Sequence, residues 1–269
     1  IDLNVSKANE IDETYTNEFE AVKTAYGNLK PYQVTGATAN FGGFFGSVNN
    51  SQTTISGTCN VTGYVDVESD NNDVSFAAGG FIGTMSGILT SNVNSENTLN
   101  ISIKTAEDTT SAQTANVGGM IGNYTSESNP ISINSSGARF IYTGNVLSNA
   151  KTLNFGGVIG NIAQRQSQTD SNQAVSINNT AFGGSVSVYG ANIDGGNLTA
   201  GGVVGRFNDN LTGGKDPNTV FEISNCYSYG DVFVNYLQNN GTNNFDWRLA
   251  NYNFGGIVGY ATKMTVQNC

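Results

Sequence analysis

The stretch Gly201-Gly202-Val203-Val204-Gly205, followed by Ile223-Ser224-Asn225-Cys226-Tyr227-Ser228-Tyr229-Gly230-Asp231-Val232-Phe233-Val234, decides the fold. Its first part is a Gly-Gly-φ-φ-Gly string, φ being apolar. The string begins at Gly42, Gly79, Gly118, Gly156, Gly201 and Gly255, in steps of 37, 39, 38, 45 and 54 residues. Six matches at near-regular spacing mark a repeat protein, in which a unit buries its apolar face only against its neighbours.

The second part alternates. Cys59, Val61, Gly63, Val65 and Val67 occupy every second position of the first repeat, as do Thr180, Phe182, Gly184, Val186 and Val188 in the fourth. Period two is the mark of a half-buried strand. The first repeat aligns with the fifth without a gap, the second and third follow more loosely, and together the repeats put Cys59, Ser95, Ser136, Thr180, Cys226 and Cys269 in one slot for a small, inward-facing side chain. That reading makes the cysteines free packing residues. Cys59 and Cys226 lie three repeats apart, out of disulfide reach, whereas Cys226 and Cys269 fall in adjacent repeats.

The Gly-Gly element has its own parity. Phe41, Gly43 and Phe45 and their equivalents form an inward face. The other face carries one apolar residue per repeat: Phe44, Phe81, Met120, Val158, Val203 or Ile257. Apolar residues on both faces mean that the outer row is covered or that a glycine-enabled bulge turns both inward. The outer row is therefore a candidate lateral assembly contact. The expected class is all-β: a parallel β-solenoid of about six repeats over residues 36–269, its units stacked at ~4.8 Å.

These two elements resemble the GLUG motif, the Gly-Gly-φ-φ-Gly…Ile-x-Asn-Cys-Tyr-Ser-x-Gly-x-Val repeat of bacterial and some protist surface proteins. The resemblance covers roughly residues 40–269 and is closest at Gly201–Gly205 with Ile223–Val232. It implies an extracellular solenoid in an adhesin-like or cell-surface protein, and it supplies no catalytic residues. The third repeat departs most, having no Asn-Cys.

Residues 1–35 read differently, as an N-terminal cap or linker. A short strand is expected at Ile1–Val5. Ile11, Tyr15, Phe19, Val22 and Tyr26 then recur at helical spacing, predicting a helix near residues 9–26 that ends before Gly27 and Pro31.

Charge and composition exclude several functions. The 269 residues carry 21 acids, 11 bases and no histidine, for a net charge of −10. That balance opposes binding to nucleic acid or to an anionic membrane surface, no apolar run approaches the ~20 residues that span a bilayer, and the missing histidine removes His-based catalysis and metal ligation. The run from Asp66 to Asp73 spaces oxygens like the start of a calcium loop but lacks its glycine and closing acid, so it reads as a solvated acidic turn. No row of paired carboxylates forms, and the glycine strings do not open helices as phosphate loops do. The expectation is a non-enzymatic chain without cofactors.

Two functions stay open. One is a structural or adhesive segment of a surface fibre, stalk or coat, whose partners are its own copies or further repeats of a longer chain. The sixth repeat reaches Cys269 without a Gly-x-Val-x-Val half, so its edge is expected to meet more protein. The other is a glycan- or host-surface-binding solenoid using the 235–253 insertion, where Tyr236, Trp247, Arg248 and Tyr252 are the candidate contacts.

Overall fold

The computed structural model describes residues 3–5, 32–33, 37–69, 73–105, 113–126, 131–164, 175–191, 196–209, 221–237, 250–262 and 264–269. Every regular element among them is a β-strand, and every strand pairing is parallel between successive repeats apart from those of Leu3–Val5 and Tyr32–Gln33. The expected helix at 9–26 lies outside the described residues; the expected first strand is present at Leu3–Val5.

Repeats one to five supply four strand positions each, and the sixth supplies the first three. The first, ahead of the glycine pair, forms a six-stranded sheet from Thr38–Gly42, Ser75–Gly79, Thr114–Gly118, Thr152–Gly156, Gly196–Gly201 and Ala250–Gly255. Its register puts the first glycines of all six strings in one row. The remaining positions belong to a 16-stranded sheet. There the second φ residues form a row, Phe45, Ile82, Ile121, Ile159, Val204 and Val258.

The string is the corner between these sheets, and in the inner repeats its glycines are required by close approach. A Cβ on Gly118 would sit 2.0 Å from the Ile121 carbonyl oxygen, and one on Gly119 would sit 2.1 Å from the Gly157 oxygen of the next repeat. One on Gly122 would sit 2.5 Å from the Ala78 nitrogen of the preceding repeat. Real side chains do not fit at such distances. The hydrogen-bond ladder therefore continues around the corner. The N–H groups of Met120 and Ile121 both donate to the Val158 oxygen, at 2.9 and 3.0 Å, and those of Val203 and Val204 both donate to the Ile257 oxygen, at 2.9 and 3.0 Å.

The same corner corrects the expected lateral row. Phe81, Met120, Val158 and Val203 are fully buried, so this row is core and not an outer contact. Only its end members are reached by water: Phe44, 43% exposed, and the half-buried Ile257. The glycine turn brings both faces of the string inward, which removes the need for a cover.

A second corner explains the Asn-Cys dipeptide. Asn179, Asn225 and Asn268 have φ of 53°, 51° and 55°, the left-handed region that asparagine tolerates better than most residues. The next side chain donates to the carbonyl two residues back: Thr180 Oγ1 to Asn178 at 3.2 Å, Cys226 Sγ to Ser224 at 3.3 Å, and Cys269 Sγ to Gln267 at 3.2 Å. Cysteine and threonine are interchangeable there because both are small donors.

The single small-residue slot is not one column. Thr180 pairs with Ala138, Ser95 pairs with Phe140, and Ser136 falls in the register irregularity between Asn134 and Ala138. Thr58 pairs with Asn94, which sets Cys59 beside Ser95 and two rows away from Cys226. A two-residue slip preserves the face, so the alternation still reads correctly. The fourth strand position accordingly holds an apolar row of Val65, Ile101, Val146, Val188 and Val234.

Candidate functional site

Of the four residues expected to form a contact site, two lie on described strands, one in each sheet. Tyr236 lies in the strand Asp231–Leu237, in register with Gly190 of the larger sheet. Tyr252 lies in Ala250–Gly255 of the smaller sheet, in register with Leu198, and is 37% exposed. Trp247 and Arg248 lie outside the described residues.

The structure opens a polar recess on the strand face shared by Asn251 and Asn253, the neighbours of Tyr252 in sequence. Asn197, Thr199, Asn251 and Asn253 come from two neighbouring first-position strands, and Arg206 and Tyr260 come from the strands that leave the glycine corners. Together they line an open cavity of about 300 Å³. The Arg206 guanidinium carbon stands 5.6 Å from the centre of the Tyr260 ring, holding the ring and the charge face to face. Asn251 Nδ2 donates to Asn197 Oδ1 at 3.1 Å.

This recess is the open end of two amide rows. The residue two before each first glycine is Asn40, Ala77, Asn116, Asn154, Thr199 or Asn253; the residue after each string is Ser47, Thr84, Asn123, Asn161, Arg206 or Tyr260. In the middle repeats these side chains bond along each row: Asn154 Nδ2 donates to Asn116 Oδ1 and Asn161 Nδ2 to Asn123 Oδ1, both at 2.8 Å. Asn116 and Asn154 are buried. Where Arg206 and Tyr260 replace asparagine, the row widens. Amides, a hydroxyl, a guanidinium and a tyrosine ring suit a hydroxyl-rich ligand such as a sugar. The sequence signal for these rows is Asn-x-Gly-Gly, four times in six repeats.

The acidic run is not a solvated turn in its first half. Asp66, Val67, Glu68 and Ser69 belong to the strand Thr62–Ser69, and Asp66 is buried in register with Ser102. The three cysteines are free. Cys226 is fully buried, and desolvation, followed by smaller hydrogen-bond and charge effects, pushes its thiol up to about 11. Burial pushes the phenols of Tyr124 and Tyr142 up as well. The Tyr124 hydroxyl donates to the Gly87 carbonyl, and that of Tyr142 donates to Leu99 O at 3.1 Å.

All three groups titrate higher in the fold than in the unfolded chain. Their contribution is therefore complete below the unfolded values and is lost as pH rises through the folded ones. The urea midpoint is expected to hold from neutral pH to about 9 and to fall progressively above it. Equilibrium unfolding followed by circular dichroism across that range checks this, and a midpoint unchanged at about pH 11 would contradict it.

The chain matches no family model, no curated protein and no solved structure.

Proposed function

We propose that the chain is a β-solenoid that works as a non-enzymatic structural or adhesive module, a segment or subunit of an extracellular fibre, stalk or coat. The resemblance to GLUG repeats and the low charge support the surface setting. The observation that carries the reading is the complementarity of the two ends of the stack. Among the described residues, the large exposed apolar side chains are Phe44 and Phe45 in the first repeat and Tyr227, Tyr229, Tyr252, Tyr260 and Val266 in the last two. Of these, Tyr229 lies along the side of the stack, where Arg139 Nε donates to its hydroxyl, whereas Phe44, Phe45, Tyr252 and Val266 belong to the first and sixth repeats.

The backbone groups match in polarity too. At each corner the N–H groups of one repeat donate to carbonyls of the following repeat. In the sixth repeat the N–H groups of Gly256, Ile257 and Val258 occupy the outward positions, and in the first repeat the Phe44 carbonyl does. One end offers donors and the other an acceptor, in the geometry of every internal junction. A head-to-tail contact of this kind is heterologous and need not close, so it builds a filament.

Gly256 provides the test. A Cβ there meets nothing within 4 Å, whereas a Cβ on Gly43, Gly80, Gly119 or Gly157 would lie 2.1 to 2.4 Å from the next repeat's carbonyl oxygen. Gly256→Ala is expected to fold normally and to stop end-to-end assembly, read by analytical ultracentrifugation and negative-stain microscopy. Polymers formed equally well by Gly256→Ala would overturn the assembly reading. Glycan binding is the second reading, favoured by the recess at Arg206 and Tyr260. A chain that stays monomeric at all concentrations and binds a glycan through Tyr260 would replace the first reading with it.

A further inference from the structure

Leu3–Val5 is the one described strand out of sequence order. In the fourth strand position the order from one end is Tyr32–Gln33, then the strands of repeats one to five, ending with Asp231–Leu237. Leu3–Val5 follows at the far side, with Leu3 opposite Val232 and Val5 opposite Val234. Its Leu-Asn-Val copies the apolar alternation of Val186-Ser187-Val188 and Val232-Phe233-Val234, the strands it extends. It stands in the sixth slot of the row formed by Val65, Ile101, Val146, Val188 and Val234. Tyr32–Gln33 stands at the opposite end, six strand spacings or about 29 Å away.

The registers of these two short strands are complementary. Val5 shares the row of Val65, whereas Tyr32 pairs with Val67 and Gln33 with Glu68. When the sixth repeat of one copy stacks on the first repeat of the next, the slot after Asp231–Leu237 and the slot before Thr62–Ser69 become the same slot. Leu3–Val5 fills the first part of it and Tyr32–Gln33 the second part, two residues further on, without collision. Together they make one shared strand between the copies.

Resting on the assembly reading, we propose that Leu3–Val5 is a donated strand: in the stacked state it leaves its own chain and completes the sixth repeat of the preceding copy. The two arrangements differ in what they ask of residues 6–31. Pairing within one chain holds the ends of that segment about 29 Å apart along the stack; pairing between copies brings Val5 and Tyr32 of the same chain within about 7 Å, two residues along one strand. The pairing with Asp231–Leu237 is the same in both, so the exchange conserves that strand's ladder, which is the condition under which domain swapping is inexpensive.

Asn4→Cys and Phe233→Cys, register partners placed in separate chains with Cys59, Cys226 and Cys269 changed to serine, test this. The two chains are co-refolded at assembling concentration and treated with a short bismaleimide, and products are read by denaturing electrophoresis and peptide mass mapping. Covalent dimers joining residue 4 of one chain to residue 233 of the other are expected. If the link forms only within a chain carrying both cysteines, the donated strand is refuted, and assembly that is still blocked by Gly256→Ala would leave the stacking itself intact. If neither link forms, the pairing is not made in solution and the inference falls. Absence of both the link and polymers would overturn both readings.

Discussion

Gly119→Ala is expected to destabilise the chain by more than about 4 kcal/mol, a loss reserved for backbone overlap and buried defects. The added carbon would stand 2.1 Å from the Gly157 oxygen and 3.2 Å from its carbonyl carbon, and neither is the tip of a flexible side chain. Relief requires the third and fourth repeats to separate at the corner. That separation would stretch the bonds from Met120 N and Ile121 N to Val158 O, now 2.9 and 3.0 Å, and the Gly119 N to Gly156 O bond at 3.2 Å. Because total stability of a domain is only about 5–15 kcal/mol, the variant should lose much of its cooperative transition. Urea unfolding followed by circular dichroism reads this directly, with Gly256→Ala as the matched control in open space. A Gly119→Ala chain as stable as the parent would show that the repeats do not approach this closely.

Phe81→Ala is expected to cost about 3–5 kcal/mol, the range for emptying a buried phenylalanine site. Phe81 is fully buried, with its ring stacked on Phe44 at 4.9 Å between centroids and set edgewise to Phe140 at 6.1 Å. Backbone on both sides of the turn is held by the ladder, so collapse into the void is limited. Thermal and urea denaturation measure the loss. An outer lateral contact would behave oppositely, leaving the monomer's stability unchanged while weakening self-association, and that outcome would reinstate the row as surface.

The contrast shows where sequence reading succeeds and where it stops. Six glycine strings declare the repeat and its junctions, because three successive close approaches leave no other residue possible at Gly118, Gly119 and Gly122. Alternation places Val65, Val188 and Val234 on one face, since a two-residue slip cannot change parity. The burial of Met120 and Val158 was not legible, because parity assumes a straight strand and the string is a corner. The slip itself was not legible either: the first repeat reaches its positive φ at Gly57 (91°), whereas the fifth does so at Asn225 (51°), and a gapless alignment cannot see where the chain bends. The recess at Arg206 and Tyr260 was missed because its amides read as intervening residues. The place of Leu3–Val5 at the far end of the stack is a long-range pairing, for which no local pattern exists.

The hydrogen bonds between repeats all run along the stacking direction, and this sets how such a stack responds to load. Tension applied along that direction does not shear many bonds at once; it opens the outermost junction first, bond after bond, like a zipper. Each repeat that peels away releases 37 to 54 residues of chain. At ~3.3–3.6 Å per extended residue that is roughly 120–190 Å of new length, compared with the ~4.8 Å the repeat occupied in the stack. A fibre built this way is stiff until its first junction yields. Where one chain is held at both its ends, it lengthens many-fold beyond that force in discrete steps without breaking a covalent bond, dissipating work at each step.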